Sequence, residues 1–298
     1  MITSSNPLGF NKPCWHLCTD GTAMPNFFSS ESDFKIGING LAYCACIVPG
    51  VIILTFVLMS NHIHLILMGD REDCLKLFHC FKAKLTRCLP DKTIDWKPFK
   101  PNLILIGSND YLRTSIAYVN RNPYVLYNEY TPFNYPWGAG REFFSYKDRG
   151  RYTQFLDMQL IIKRQLLHSK DFDERFNRLR FDVDLVDVTS FCRVDLAEKV
   201  YANAGDYISL LMKNVEKFKE FASLIDDKIF ITDKEMDKIA LLTAQEKYNV
   251  QTLIKLTTYQ RNEHARFLKR EYNATKSQLR RILRLPQNFL DELFPQKQ

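Results

Sequence analysis

Apolar and polar positions alternate in two different ways along the first half of the chain. Short apolar runs, which begin at Cys14, Val51, His62 and Asn102, predict four strands. Longer amphipathic stretches predict helices over 32–47, 70–89 and 110–121, with Asn122 and Pro123 ending the last of them. This order of elements is typical of a ferredoxin-like α+β layer, in which helices cover an antiparallel sheet.

The second half shows few strand signals, and helical periodicity dominates it from Leu196 onward. We interpret the charged segment 171–187 as a partly exposed linker. Near the carboxyl end, three short helices are predicted over 265–272, 275–283 and 286–293, with Thr275 as the cap of the second. The chain is therefore predicted to contain an α+β domain over 1–150 and a mostly helical region over 151–298. A helix-turn-helix is predicted near 259–294.

Composition narrows the choice of partners only slightly. The chain has 298 residues and a net charge of +7, which permits a polyanionic partner without demanding one. Residues 41–68 carry no charged side chain, but a Pro-Gly pair at 49–50 and polar residues at 60–64 interrupt them. The remaining apolar core, 51–59, is shorter than the ~20 residues that a membrane-spanning helix needs. The sequence therefore predicts no membrane association.

The eight cysteines indicate a reducing compartment. They form no C-x-x-C pair, and the first residues contain no apolar segment typical of a secretory signal. We interpret them as buried thiols of a cytoplasmic protein. Because no C-x-x-C pair is present, the sequence predicts no structural zinc site.

The clearest chemical pattern is the run His62-Ile63-His64, which opens the third predicted strand. Alternate side chains of a strand point to one face, so the two imidazoles project together. Such a pair can hold a divalent metal ion if a third ligand comes from elsewhere. The alternative is two histidines on an open sheet face, and so short a motif favours this alternative when it stands alone.

A second pattern, the run 118–123 (YVNRNP), lies near the end of the last predicted helix of the first domain. Tyr118 and Asn122 are four residues apart and share one helix face. The carboxamide oxygen of Asn122 suits a hard cation, and the Tyr118 hydroxyl would lie near the same ion. The alternative is a core tyrosine with a capping asparagine, which this run alone favours.

Together, the two patterns resemble the single-tyrosine HUH transposases, and within that group the REP-associated tyrosine transposases. The run 57–67 (VLMSNHIHLIL) is similar to the family's MxNHxH strand, and 118–123 is similar to its YxxxNP segment. His16, on the first strand, is similar to the histidine of an amino-terminal H-x-x-x-x-G pattern that ends here at Gly21. The resemblance covers about the first half of the chain.

The resemblance implies cleavage and rejoining of single-stranded, hairpin-containing DNA. It implies His62, His64 and Asn122 as ligands of Mg²⁺ or Mn²⁺, and Tyr118 as the nucleophile that forms a 5′-phosphotyrosine. A tyrosine hydroxyl with a pKa of about 10 is a weak nucleophile at neutral pH, and metal Lewis acidity at the phosphate offsets this weakness. REP-like or transposon-end DNA and a cytoplasmic, nucleoid-associated bacterial location are also implied. Monomer and homodimer both stay open.

The chain departs from this family between the second helix and the tyrosine helix. The connecting segment, residues 87–102, is short here and includes Trp96, Phe99 and three prolines. This difference affects the DNA contacts and the activity that the resemblance implies. Tyr111, seven residues before Tyr118, is a competing nucleophile but lacks the Asn-Pro partner. Two other functions stay open: a non-catalytic DNA-binding regulator derived from a transposase, and a metal-dependent nuclease that activates water.

Basic residues supply candidate DNA contacts in two places. In the first domain these are Lys82, Lys84, Arg87 and Arg121. Aromatic residues interleave with nearby lysines there, which suits a single strand because bases stack on rings. In the predicted helix-turn-helix the candidates are Lys276, Gln278, Arg280, Arg281 and Arg284, if that helix enters a groove. The alternative for the carboxyl end is a basic, solvated helical bundle.

Overall fold

A computed structural model of the protein describes residues 12–126, 130–145, 152–213 and 233–295. The contacts between Cα atoms divide these residues into two compact units. The first unit contains the described residues up to 213, apart from 124–126, and the second contains 124–126 and 233–295. Residues 152–213 therefore belong with the first unit, whereas the sequence analysis assigned them to the second region.

A four-stranded antiparallel sheet forms the centre of the first unit. Its strands are β1 (Cys14–Cys18), β2 (Ile52–Leu58), β3 (Ile63–Met68) and β4 (Asn102–Ile106), in the spatial order β2-β3-β1-β4. Helix α1 (Glu31–Ile47) joins β1 to β2, α2 (Arg71–Cys88) joins β3 to β4, and α3 (Asn109–Leu126) follows β4. The α+β class and the four predicted strands are confirmed.

Two helix ends differ from the prediction. Helix α1 begins after Ser30, which forms a capping box with Asp33, so it starts one residue before the predicted range 32–47. Helix α3 continues through Pro123 to Leu126, although proline removes a backbone donor and usually ends a helix. Residues 116–122 of α3 are all buried, so packing on every side holds the helix despite the proline.

The interpretation of 171–187 as a linker is wrong. This segment contains a 3-10 turn, Glu174–Arg178, and strands β6 (Arg180–Asp182) and β7 (Leu185–Val186); β6 pairs with β7 on one side and with β5 (Thr153–Gln154) on the other. The carboxamide of Asn39, on α1, donates to the Asp184 carbonyl oxygen and accepts from the Val186 amide, both at 2.9 Å. The charged side chains of this segment therefore led to the linker interpretation, although the segment forms strands that pack on α1.

Backbone hydrogen bonds at the outer edge of β2 attach later parts of the chain to the sheet, which is why the first unit extends to 213. The amides of Ala139 and Arg193 donate to carbonyl oxygens of β2, and the Leu58 amide donates to the Trp137 carbonyl oxygen. Two stretches outside the predicted sheet therefore satisfy backbone groups that an edge strand would leave to solvent. The three helices of this part are α4 (Leu160–Leu167), α5 (Val194–Glu198) and α6 (Ala204–Lys213).

The described part of the second unit is helical. It contains α7 (Asp233–Tyr248), α8 (Thr258–Tyr272), α9 (Lys276–Leu283) and α10 (Gln287–Leu293). The three predicted helices are present, but α8 begins at Thr258, where Thr257 and Gln260 form a capping box. Their core contains Ala240, Leu256, Leu268, Leu279 and Leu290. In the described ranges no helix has both the length and the apolarity to cross a membrane.

Candidate active site

The pairing of β1 with β3 brings three candidate ligands onto one face of the sheet. Cys18 is paired with His64, and His16 lies two residues earlier on β1 and points to the same face. The Nε2 atom of His16 and the Nδ1 atom of His64 are 3.2 Å apart. The ligand atoms of these three buried side chains all lie within 4.8 Å of one another, so they form a group that could hold a metal ion.

Tyr118 lies against the same face, although it comes from α3. Its ring centroid is 5.8 Å from that of His64 and 6.3 Å from that of His16. The imidazole of His62 lies 5.1 Å from that of His64, nearly perpendicular to it. The fold therefore gathers three residues that the sequence analysis selected, together with His16, into one cluster. We refer to His16, His62, His64 and Tyr118 as the histidine–tyrosine cluster.

The orientation of His62 is fixed by its neighbour in the chain. Asn61 donates from Nδ2 to the Gly21 carbonyl oxygen (2.6 Å), so its Oδ1 atom is the acceptor for Nδ1 of His62 (2.8 Å). The proton of His62 is then on Nδ1, and the lone pair on Nε2, the form in which imidazole binds a metal. A Cβ atom at Gly21 would come within 2.7 Å of Nδ1, so only glycine permits this close approach.

Burial keeps the central imidazoles neutral. Loss of hydration lowers the pKa of His64 to about 3. Loss of hydration, followed by the effect of His64, lowers the pKa of His16 well below its usual value. Neutral imidazole is the form that coordinates metals, so neither ring has to lose a proton before binding an ion at neutral pH.

Asn122 lies one helical turn beyond Tyr118 and is buried. Within the described residues, its Nδ2 atom donates no hydrogen bond. Among the contacts of the described residues, none places its carboxamide against the histidines, so its role as third ligand stays a prediction. Burial at this position is nevertheless compatible with a carboxamide that serves an internal site.

A residue that the sequence analysis assigned no role, Asn120, holds α3 in place. Thr55, on β2, donates to Asn120 Oδ1 (2.6 Å), and Asn120 Nδ2 donates to the hydroxyl oxygen of Tyr207, on α6 (2.9 Å). Arg113, also on α3, donates from Nη2 to both carboxylate oxygens of Asp206. Helix α3 is therefore fixed between the sheet and α6.

Burial changes the set of candidate DNA contacts in the first unit. Lys84 and Arg121 are each only 3% exposed, so we remove both from the set. Lys84 donates to the His168 carbonyl oxygen and lies over the ring of Tyr43. Lys82 is partly buried and donates to the Phe99 carbonyl oxygen, whereas Arg87 is exposed. Of these four residues, Arg87 is therefore the one best exposed for contact with a DNA phosphate.

In the second unit, the candidates on α9 divide in the same way. Gln278 is 6% exposed, and its side-chain oxygen caps the helix by accepting from the Thr275 amide, so it is not presented as a base contact. Lys276 pairs with Asp291 and Arg281 pairs with Asp233. Arg280, Arg281 and Arg284 are exposed, which retains them as candidates for phosphate contacts.

Comparison of the chain with models of protein families, with curated proteins and with solved structures found no match.

Cys18 is the member of the site that sequence reasoning missed. The search for C-x-x-C spacing did not detect it because the ligands come from two strands that are paired only in the folded chain. A usable signal was present, since His16 and Cys18 are two residues apart on a predicted strand and must share a face.

Proposed function

We propose that the protein is a metal-dependent, single-tyrosine enzyme that cuts and rejoins single-stranded, hairpin-containing DNA, as a transposase of the HUH type does. The observation that carries the proposal is the convergence of Tyr118 with His62 and His64. Tyr118 is far from the two histidines in the chain, yet its ring lies against that of His64, which in turn contacts the ring of His62. The strand order and the placement of α3 are compatible with the ferredoxin-like layer that this class of enzyme requires.

The donors in the cluster fit a divalent ion. His16, Cys18 and His64 bring their ligand atoms within 4.8 Å of one another, and the imidazole of His62 lies beside that of His64. A bound ion would supply Lewis acidity to the scissile phosphate. The proposal keeps His62, His64 and Asn122 as the ligands that the family resemblance implies.

Tyr118 performs the covalent step. Its hydroxyl oxygen attacks the scissile phosphorus, the P–O3′ bond breaks, and the phenolic proton leaves the nucleophile while the departing 3′ oxygen gains one. The products are a 5′-phosphotyrosine and a free 3′ hydroxyl. Attack by a 3′ hydroxyl reverses the step and rejoins DNA without a nucleotide cofactor. Since Tyr118 is 4% exposed, the proposal requires that its hydroxyl become accessible when DNA binds.

The decisive experiment is a search for the covalent adduct. The full chain is incubated with a library of 3′-labelled, hairpin-flanked single strands and Mn²⁺, Mg²⁺ or Zn²⁺, and a denaturing gel reveals protein-linked label. We expect an adduct in the wild-type protein and none in Tyr118→Phe, which keeps the ring and removes only the hydroxyl. Unchanged thermal unfolding of the variant would exclude loss of the fold.

Tyr111→Phe is the matched control, because Tyr111 is a second tyrosine on the same helix. Its burial raises its pKa, which makes its hydroxyl a weaker nucleophile. This variant should still form the adduct. An adduct that persists in Tyr118→Phe and disappears in Tyr111→Phe would move the nucleophile. Cleavage without any adduct would indicate the water-activating nuclease, and DNA binding without cleavage would indicate the non-catalytic regulator.

A further inference from the structure

A cysteine thiol stands within the candidate site, where the resemblance assigns none. Cys18 is paired with His64 across β1 and β3, and its neighbour on the same face of β1 is His16. All three side chains are buried. Two imidazoles and one thiol that meet in an interior are a different donor set from the oxygen-rich one that Mg²⁺ and Mn²⁺ prefer.

We propose that His16, Cys18 and His64 form a binding site for a thiophilic divalent transition metal, with Zn²⁺ as the ion of best fit. Thiolate and imidazole are the ligands that zinc takes in proteins, and thiolate selects against hard cations. The separation of the two nitrogen ligands agrees with this geometry. A tetrahedral ion with Zn–N bonds of about 2.0–2.1 Å separates two nitrogen ligands by about 3.3 Å. The observed separation of His16 Nε2 from His64 Nδ1 is 3.2 Å.

Three protein ligands leave one tetrahedral position for water or substrate, which is the arrangement of catalytic rather than structural zinc sites. The ring of Tyr118 lies beside two of the ligands, His16 and His64. The site itself requires no DNA chemistry. Only its consequence, that the ion serving Tyr118 is of the zinc type rather than Mg²⁺ or Mn²⁺, rests on the proposed function.

The test uses Co²⁺ as a spectroscopic substitute for Zn²⁺. The full-length protein is stripped with a chelator and titrated anaerobically with Co²⁺ in the absence of DNA. We expect a near-ultraviolet thiolate-to-cobalt charge-transfer band that saturates at one equivalent, that Zn²⁺ abolishes and that excess Mg²⁺ leaves unchanged. In Cys18→Ser the band should disappear and Co²⁺ affinity should fall roughly tenfold or more, because one of three protein ligands is lost.

Cys14→Ser is the matched control, since Cys14 is buried on the same face of β1 but is paired with Met68 and Ile106. The band should persist in this variant. A band that survives Cys18→Ser, or one that is absent from the wild-type protein, would overturn the proposal and leave His16 and His64 as a buried hydrogen-bonded pair.

X-ray absorption of the wild-type zinc protein provides a readout that does not depend on the folding of any variant. One sulfur at about 2.3 Å and nitrogens at about 2.0–2.1 Å are expected, and a shell without sulfur would contradict the site. Because neither measurement involves DNA, the two proposals fail separately. Sulfur coordination without a DNA adduct would reject the function alone, and an adduct without sulfur coordination would reject the thiolate site alone.

Discussion

At the residue scale, the first unit contains two thiols in contact that differ in acidity. Cys44, on α1, is fully buried, and its burial raises its pKa well above the usual value. A hydrogen bond from Cys44 lowers the pKa of Cys80, on α2, against the effect of burial, and the charges of Lys84 and Arg87 lower it further. The thiolate of this pair therefore forms at Cys80.

This arrangement predicts that Cys80 is alkylated unusually fast near neutral pH, because the thiolate is the reactive form. Cys44→Ala removes the leading cause of the lowered pKa and should move the midpoint of the Cys80 alkylation profile to higher pH. The measurement is peptide mapping by mass spectrometry after brief iodoacetamide treatment between pH 6 and 9. Cys192→Ser, at a buried thiol elsewhere, should leave the profile unchanged. Equal profiles for Cys44→Ala and wild type would contradict the assignment.

At the scale of elements, the position of the tyrosine helix depends on a polar bridge. Asn120 joins β2 to α6 through Thr55 and Tyr207, and all three side chains are buried. Removal of one partner from a buried hydrogen bond leaves the other without compensation, which costs more than the bond contributed. The bridge therefore couples the packing of 204–213 to the placement of Tyr118.

Asn120→Ala should lower the free energy of unfolding by about 2–4 kcal/mol, because two buried hydroxyl groups lose their partner. Urea denaturation of the full chain measures the change. Asn109→Ala, at an exposed position of the same helix, should change stability by less than about 0.5 kcal/mol. In combination with Tyr207→Phe, the cost of Asn120→Ala should be smaller than in the wild-type background. Strict additivity would show that the bridge does not form.

At the scale of the whole molecule, the structure shows which of the basic side chains behind the net charge of +7 are exposed. Some basic side chains of the first unit, such as Lys84 and Arg121, are buried. Arg280 and Arg284, in the helical unit, are exposed. The second unit is therefore where we expect most phosphate contacts. Its hydrophobic core also includes Met236 and Ala240, so a truncation at 259 would cut through a packed structure and not remove a separable arm.

Substitution tests this expectation without disturbing that core. The double variant Arg280→Gln/Arg284→Gln should weaken binding to hairpin DNA and reduce the slope of log affinity against log salt by roughly 1.4, since each lost contact to a single strand removes about 0.7. Fluorescence anisotropy over a range of salt concentrations provides the slope. Arg193→Gln, at an arginine of the first unit that pairs with Asp195, should leave the slope unchanged. An unchanged slope in the double variant would place the DNA surface elsewhere.

The sequence by itself determined the features that depend on neighbours along the chain. Apolar periodicity was sufficient for the four strands of the sheet and for α1, α2, α8, α9 and α10, because period and capping are local properties. It also predicted a common strand face for His62 and His64; in the structure β3 begins at Ile63, so His62 precedes the strand, and its ring lies 5.1 Å from that of His64. The end of α3 at Pro123 was predicted wrongly, since local propensity gives way where a helix is packed on all sides.

Only the tertiary structure decided which distant groups meet. The antiparallel register of β1 and β3 places Cys18 and His16 beside His64, and the packing of α3 brings Tyr118 to the same place. Burial of Lys84 and the attachment of 152–213 to the sheet were likewise not visible in the sequence. The physical reason is the same for each: periodicity reports which face a side chain occupies, whereas strand pairing and helix docking over long separations determine what lies opposite that face.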